Sequence, residues 1–373
     1  MARKPFSNSL LLFSSILACF FPSTFASQGV ERDGVEVSGM FVFGSSVVDN
    51  GNNNFLANSM AKADYLPYGI DFPLGPSGRF TNGKNVIDLL GQLLKLPSSI
   101  PVFADPMTRG KKIIHGVNFA SGASGILDET GSVAGRVISL NEQIRNFEKV
   151  TLPDIEGQLG SSSTKSSLSD YLFVLGTGSN DYTLNYFIQT GTSNVSLQAF
   201  TNKLAATFSR KLKRLYHLGG RKFVLISINP IGCTPVSKAN SPSKHCREDL
   251  NGAALLFNAH LKVLVDVMKP QMPGSNLVYV NSYGIIRDII NKPFSQGFQD
   301  TSNACCEVVL RNEGGNGISC KRNGYVCADR TTQVFFDGLH LTEAVNSLIA
   351  TKAYASNFST EVYPINVKQL AEL

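Results

Sequence analysis

The chain has 373 residues, 43% of them hydrophobic, with 34 Lys and Arg against 28 Asp and Glu and a formal net charge of +6. That length holds one large domain or two small ones. The positive excess is mild and forms no Lys/Arg block or basic-aromatic stripe, which argues against a nucleic-acid partner and leaves at most a weak attraction to anionic polysaccharide.

The N-terminus reads as a secretory signal. Arg3 and Lys4 precede the apolar run "LLLFSSILACFF" (10–21), and the small residues of "STFAS" surround Ala26, which predicts cleavage after Ala26 rather than a retained anchor. The run is too short to span a bilayer, which takes about 20 apolar residues. Residues 1–26 are therefore expected to leave, and 27–373 to form a single domain. No later segment reads as long and apolar enough to cross a membrane, so a secreted protein without a stable membrane span is expected, with the cell wall as its setting. The sequence gives no reading of oligomeric state.

Short apolar runs then alternate with amphipathic segments. "GMFVFG" (39–44), "KIIHGVNFA" (112–120), "YLFVLGTG" (171–178), "KFVLISI" (222–228) and "NLVYV" (276–280) read as strands buried on both faces. Helices are predicted over 85–96, over 139–150 with a capping box from Ser139 to Glu142, and over 196–220, 250–268 and 342–354. The Ser-rich stretch 157–169 reads as a loop. This order specifies an α/β fold with a mostly parallel sheet. In such sheets a ligand sits beyond the carboxyl ends of the strands, so Ser45, Ser46, Ser121, Gly122, Ser179 and Asn180 should converge.

Loss of Cys19 with the signal leaves Cys233, Cys246, Cys305, Cys306, Cys320 and Cys327. An even count in a secreted chain reads as disulfides. A metal site is the competing reading, but no CxxC pair and no nearby His supports it. The short loop between Cys233 and Cys246 favours that pair, and adjacent Cys305 and Cys306 should each take a partner from Cys320 and Cys327. "NVS" at Asn194 and "NFS" at Asn357 are glycosylation sequons.

Ester hydrolysis by serine needs a base beside the hydroxyl and a carboxylate to hold that base. Of five histidines, His217 and His260 fall inside helical patterns, His245 in a Cys-flanked loop and His115 in an apolar run. His340 follows Asp337 by three residues in "FFDGLHLTEA", just before a helix, so one tight turn presents both side chains. That spacing alone is weak, because Asp also favours helix starts as a cap.

With these residues in place, the sequence resembles the plant-type GDSL esterases/lipases of the SGNH hydrolase superfamily over nearly all of residues 27–373. Four blocks carry the resemblance in order: "FVFGSSVVDNGNNN" (41–54), "GVNFASGASGI" (116–126), "GSNDY" (178–182) and "DGLHLTEA" (337–344), with "NPIGCTP" (229–235) between the last two. The resemblance implies a flavodoxin-like three-layer α/β/α sandwich with a mostly parallel five-stranded sheet. It implies Ser46 as nucleophile, Asp337 and His340 as acid and base, and the Gly122 N–H and Asn180 amide as oxyanion donors. It implies no cofactor and no metal, and an ester of a small molecule, lipid or polysaccharide as substrate. Two positions depart from the family pattern. Ser45 stands where Asp is usual, and Leu341 stands where Pro would fix the first helical position. An acyltransferase would use the same site, and a catalytically silent cell-wall binding protein would keep the fold without the chemistry.

Overall fold

The computed structural model describes residues 37–159, 168–189 and 195–373. Residues 1–26, expected to be a signal, residues 160–167 of the Ser-rich stretch and the sequon Asn194 lie outside the described residues. Five strands, β1 (Gly39–Gly44), β2 (Gly116–Asn118), β3 (Tyr171–Gly176), β4 (Lys222–Ile226) and β5 (Asn276–Val280), pair in parallel in the order β2-β1-β3-β4-β5. Three further strands are β6 (Asp300–Ala304), β7 (Gln333–Phe335) and β8 (Val362–Tyr363). The last adds a short antiparallel sixth member at the β5 edge, and β6 and β7 form a separate ribbon.

Successive strand residues face opposite sides, which sorts the core into two layers. Phe41, Phe43, Phe173 and Phe223 point to one side, where they pack with Phe119 and Phe147 beneath the helices Leu197–His217 and Glu248–Met268. Met40, Val42, Leu172 and Val174 point to the other, under the helices Val86–Leu93, Ser282–Asn291, Glu343–Ala355 and Val367–Glu372. The result is the three-layer α/β/α arrangement expected, and the register sets Phe41 beside Phe173 and Phe173 beside Phe223.

Several local expectations shift. The run 112–120 supplies only three strand residues, because Gly110–Ile113 is a 3-10 turn and Gly116 has a φ of 104°. The capping box at 139–142 is half made. The Ser139 hydroxyl accepts the Glu142 N–H, but the Glu142 carboxylate turns outward to Arg136. The helix Ser282–Asn291, capped by Asn281, has no counterpart among the sequence predictions. Among the described residues the segment Glu248–Gln271 does meet the length and hydropathy of a membrane-crossing helix. It is a core helix, with Leu250, Ala253, Phe257, Leu261 and Val265 buried against the sheet.

Three disulfides, Cys233–Cys246, Cys305–Cys327 and Cys306–Cys320, join the six cysteines. Closing loops of this size stabilises the fold by about 3 kcal/mol each in the chain-entropy view. Thiol titration of the denatured, unreduced protein is therefore expected to find none of these six free. Two or more reactive thiols would contradict the pairing.

Candidate active site

The strand order 2-1-3-4-5 reverses direction between β1 and β3, and there the chain leaves the sheet towards a crevice. Pairing continues one residue past β1, where the Ser45 N–H donates to the Gly176 carbonyl at 3.0 Å. Glycine is required just before it. Gly44 has a φ of 147°, and a Cβ there would lie 2.1 Å from the Gly176 oxygen. The buried Gln143 amide bonds both the N–H and the carbonyl of Gly44, at 2.8 and 2.9 Å, and the carbonyl also accepts from the Ser121 N–H and the Ser124 hydroxyl. Rigidity of this exit positions the next residue, Ser46.

The Ser46 Oγ lies 2.8 Å from His340 Nε2, and His340 Nδ1 lies 2.8 Å from Asp337 Oδ2. Because Nδ1 faces a carboxylate, the ring proton belongs there, which leaves the Nε2 lone pair for the serine hydroxyl. Asp337 is wholly buried, whereas Ser46 and His340 each keep 8% exposure, enough to be reached from the crevice. The other Asp337 oxygen accepts the N–H groups of Leu339 and His340 at 2.8 and 2.6 Å. Burial pushes its carboxyl up, but the adjacent imidazole and these hydrogen bonds outweigh burial and hold it below the ordinary carboxylate value.

Asn180 reaches the same crevice from the turn after β3, and its amide donates to the Ser124 carbonyl at 2.9 Å, leaving a second N–H. Gly122 sits close by for reasons of space, since a Cβ would meet the Phe80 ring at 2.7 Å. Its N–H donates at 2.9 Å to Asp49, whose other oxygen accepts from Gly51 and Asn52. The Asn-rich turn after Ser46 is thus a scaffold. Asn52 donates to the carbonyls of Asn118 and Ala120, and Asn53 to those of Ala61 and Gly122. The structure brings Ser46, His340, Asp337 and Asn180 together and adds Gly122 with its N–H already engaged.

Two participants escaped the sequence reading, and a third, Asp49, belongs to the turn 49–54 that it placed around the site. Tyr68 is buried and donates its hydroxyl to Asp337 Oδ2 at 2.7 Å. That hydroxyl also accepts the Cys320 N–H at 3.2 Å, so the Cys306–Cys320 disulfide bears on the site. Phe80 packs on the His340 ring with centroids 4.8 Å apart. Asp49 holds Gly122. The motif blocks gave a signal only for Asp49, which lies within the first of them. Leu341 also needs a correction. The helix begins at Glu343 with Thr342 as its cap, so residue 341 lies before the helix, where it bridges Phe335 and is 5% exposed. It anchors the turn by burial rather than by φ.

Among the described residues one group of side chains has the spacing of metal ligands. Cys233, Cys246 and Glu248 lie close together, but both sulfurs are committed to a disulfide. Ser45 is 1% exposed beside a cavity of about 50 Å3 that Thr177 also lines, and the Thr177 hydroxyl is buried without a partner. Ser46, Asn180 and His340 line the same cavity, so the carboxylate usual at position 45 in the family pattern would sit at the edge of the catalytic pocket. Ser45→Asp is therefore expected to fold with equal or higher kcat/KM, and a folded variant with clearly lower turnover would show a site adapted to serine.

The model of the GDSL-like lipase/acylhydrolase family matches residues 40–353. Among similar Arabidopsis thaliana proteins, GDSL esterase/lipase At1g29670 is 39% identical over 96% of this chain and 97% of its own length. GDSL esterase/lipase At5g08460 is 43% identical over 90% of this chain and 87% of its own length. GDSL esterase/lipase At1g71250 is 42% identical over 90% of both chains.

Proposed function

Since the chain belongs to the GDSL-like lipase/acylhydrolase family and is a carboxylic ester hydrolase, we propose that it is a secreted serine esterase working through Ser46, His340 and Asp337. The observation that carries this reading is the continuous line from the Ser46 hydroxyl through both ring nitrogens of His340 to the buried Asp337, with 2.8 Å at each link. His340 Nε2 takes the hydroxyl proton while Ser46 Oγ attacks the ester carbonyl carbon. The tetrahedral oxyanion is held by the N–H groups of Ser46 and Gly122 and the free N–H of the Asn180 amide. Collapse breaks the bond to the alcohol, which leaves with the proton from His340. Water then attacks the acyl-Ser46 ester under the same base, releasing the carboxylic acid and restoring the serine.

Secretion follows from the sequence of 1–26, after which residues 27–373 remain as the mature domain, and three disulfides are consistent with an oxidising compartment. Asn357, exposed after the helix Glu343–Ala355, is accessible to a glycan there. A fluorophosphonate probe tests the reading. It is expected to label the purified protein on Ser46 alone, and absence of labelling in folded protein would refute an activated serine.

A further inference from the structure

The cleft opening on Ser46 and His340 has a volume of about 1130 Å3, at the upper end for small-molecule sites. Its wall carries four cationic side chains, Lys62, Arg247, Arg311 and Arg322, and no Asp or Glu. Arg247 is neutralised by Asp249 at 2.5 Å. Among the described residues no carboxylate pairs with the other three. The Lys62 ammonium touches only the Asn54 carbonyl, and the Arg322 guanidinium lies 3.9 Å over the Tyr65 ring, itself fixed by a hydroxyl bond to the Cys320 carbonyl. Of the nearby acids, Glu307 is occupied with Lys321 and Glu313 with the Leu310 N–H, while Asp64, next to Tyr65, lies outside the wall and makes no ion pair with these cations.

The same cleft has an apolar part. Met60, Val133, Leu184 and Ile188 line it, and Met60, Val133 and Ile188 are 68%, 54% and 56% exposed. The Met60 N–H bonds to the Ala134 carbonyl, which holds two of these side chains on one wall. Between such walls the Ser59 hydroxyl is buried and lacks a partner. Unpaired cations, a hydrocarbon surface and a spare hydroxyl around one nucleophile describe a ligand of mixed character.

We propose that this cleft selects amphiphilic esters carrying an anionic oxygen group, a carboxylate or a phosphate, whose hydrocarbon part lies on the Met60 wall while the anion meets Arg311, Arg322 and Lys62. The inference rests on Ser46 being the nucleophile of this cleft. Exposed ion pairs are individually weak and screened by salt, so the selection is expressed mainly in KM and at low ionic strength. A cleft lined by one sign of charge also raises the local concentration of the opposite one.

The test compares three p-nitrophenyl esters of equal chain length: the decanoate, the half-ester of decanedioic acid, and the ester of 10-phosphonooxydecanoic acid. At low salt kcat/KM for the anionic esters is expected to exceed that for the decanoate by about fivefold or more, and the ratio should approach one near ~1 M salt. Preference for only one anion supports the inference and identifies the group. The double variant Arg311→Gln/Arg322→Gln should lose most of the ratio. Lys321→Gln, which removes a cation outside the cleft, should keep it. A ratio at or below one, or a ratio unchanged in the double variant, overturns the inference while leaving the esterase reading intact. Failure to turn over any of the three overturns both.

Discussion

Ser46→Ala is expected to lower kcat by on the order of a millionfold, while Ser45→Ala keeps most of the activity of the parent. The two serines are adjacent and chemically identical, so the contrast tests geometry alone. Ser45 continues β1, with its N–H committed to the Gly176 carbonyl, and no hydrogen bond joins its hydroxyl to His340. The chain turns after it, and only the next hydroxyl comes within 2.8 Å of His340 Nε2. Without Oγ no acyl-enzyme forms, and any residual rate comes from substrate binding and the oxyanion donors acting on water. Loss of one hydroxyl at a position with 8% exposure leaves the core untouched, so the melting temperature should stay within a few degrees of the parent. Inactivity of Ser45→Ala with full activity of Ser46→Ala would place the nucleophile one residue earlier and require another base.

Much of this arrangement is legible in the sequence because the same physics writes both. Strands buried on two faces appear as unbroken apolar runs, so β1, β3, β4 and β5 lie where "GMFVFG", "YLFVLG", "KFVLI" and "NLVYV" place them. The crevice residues follow those runs directly, so position alone narrows the site to Ser45, Ser46, Ser121, Gly122, Ser179 and Asn180, and the family resemblance singles out Ser46 and Asn180 among them. Contacts made across long separations leave no such trace. Tyr68 bonds to a carboxylate 269 residues away from a loop with no periodicity. The cationic wall is assembled from separate loops, Lys62 in one and Arg311 and Arg322 in another, each unremarkable in its own stretch of sequence. The helix Ser282–Asn291 leaves a readable signal, with Ile285, Ile286 and Ile289 at helical spacing on its buried face and Asn281 as its cap, and the sequence predictions simply pass over it. Position 341 misleads for a different reason, since the family's Pro suggests a helix start that the chain makes two residues later.

Asp337→Asn is expected to lower kcat by on the order of ten thousandfold, with Tyr68→Phe causing a smaller loss of about tenfold. Four groups converge on Asp337: two backbone N–H groups on one oxygen, and His340 Nδ1 and the Tyr68 hydroxyl on the other. In the Asn variant the amide oxygen keeps the two backbone donors, and its NH2 group then faces Nδ1. Donor meets donor unless the ring proton moves to Nε2, which turns the serine's base into a second donor. The loss therefore falls on kcat rather than KM. Because the native carboxyl is held below its ordinary value, it stays ionised above about pH 4, and no loss of activity nearer neutrality belongs to it. Its contribution to stability is likewise present above that range and lost only as pH falls through the lowered value. Tyr68→Phe removes one donor from the same oxygen and leaves the His340 Nδ1 bond in place, so its loss stays small. A kcat in Asp337→Asn equal to that of the parent would mean that Asp337 only shapes the turn before the helix Glu343–Ala355, and that some other group orients His340.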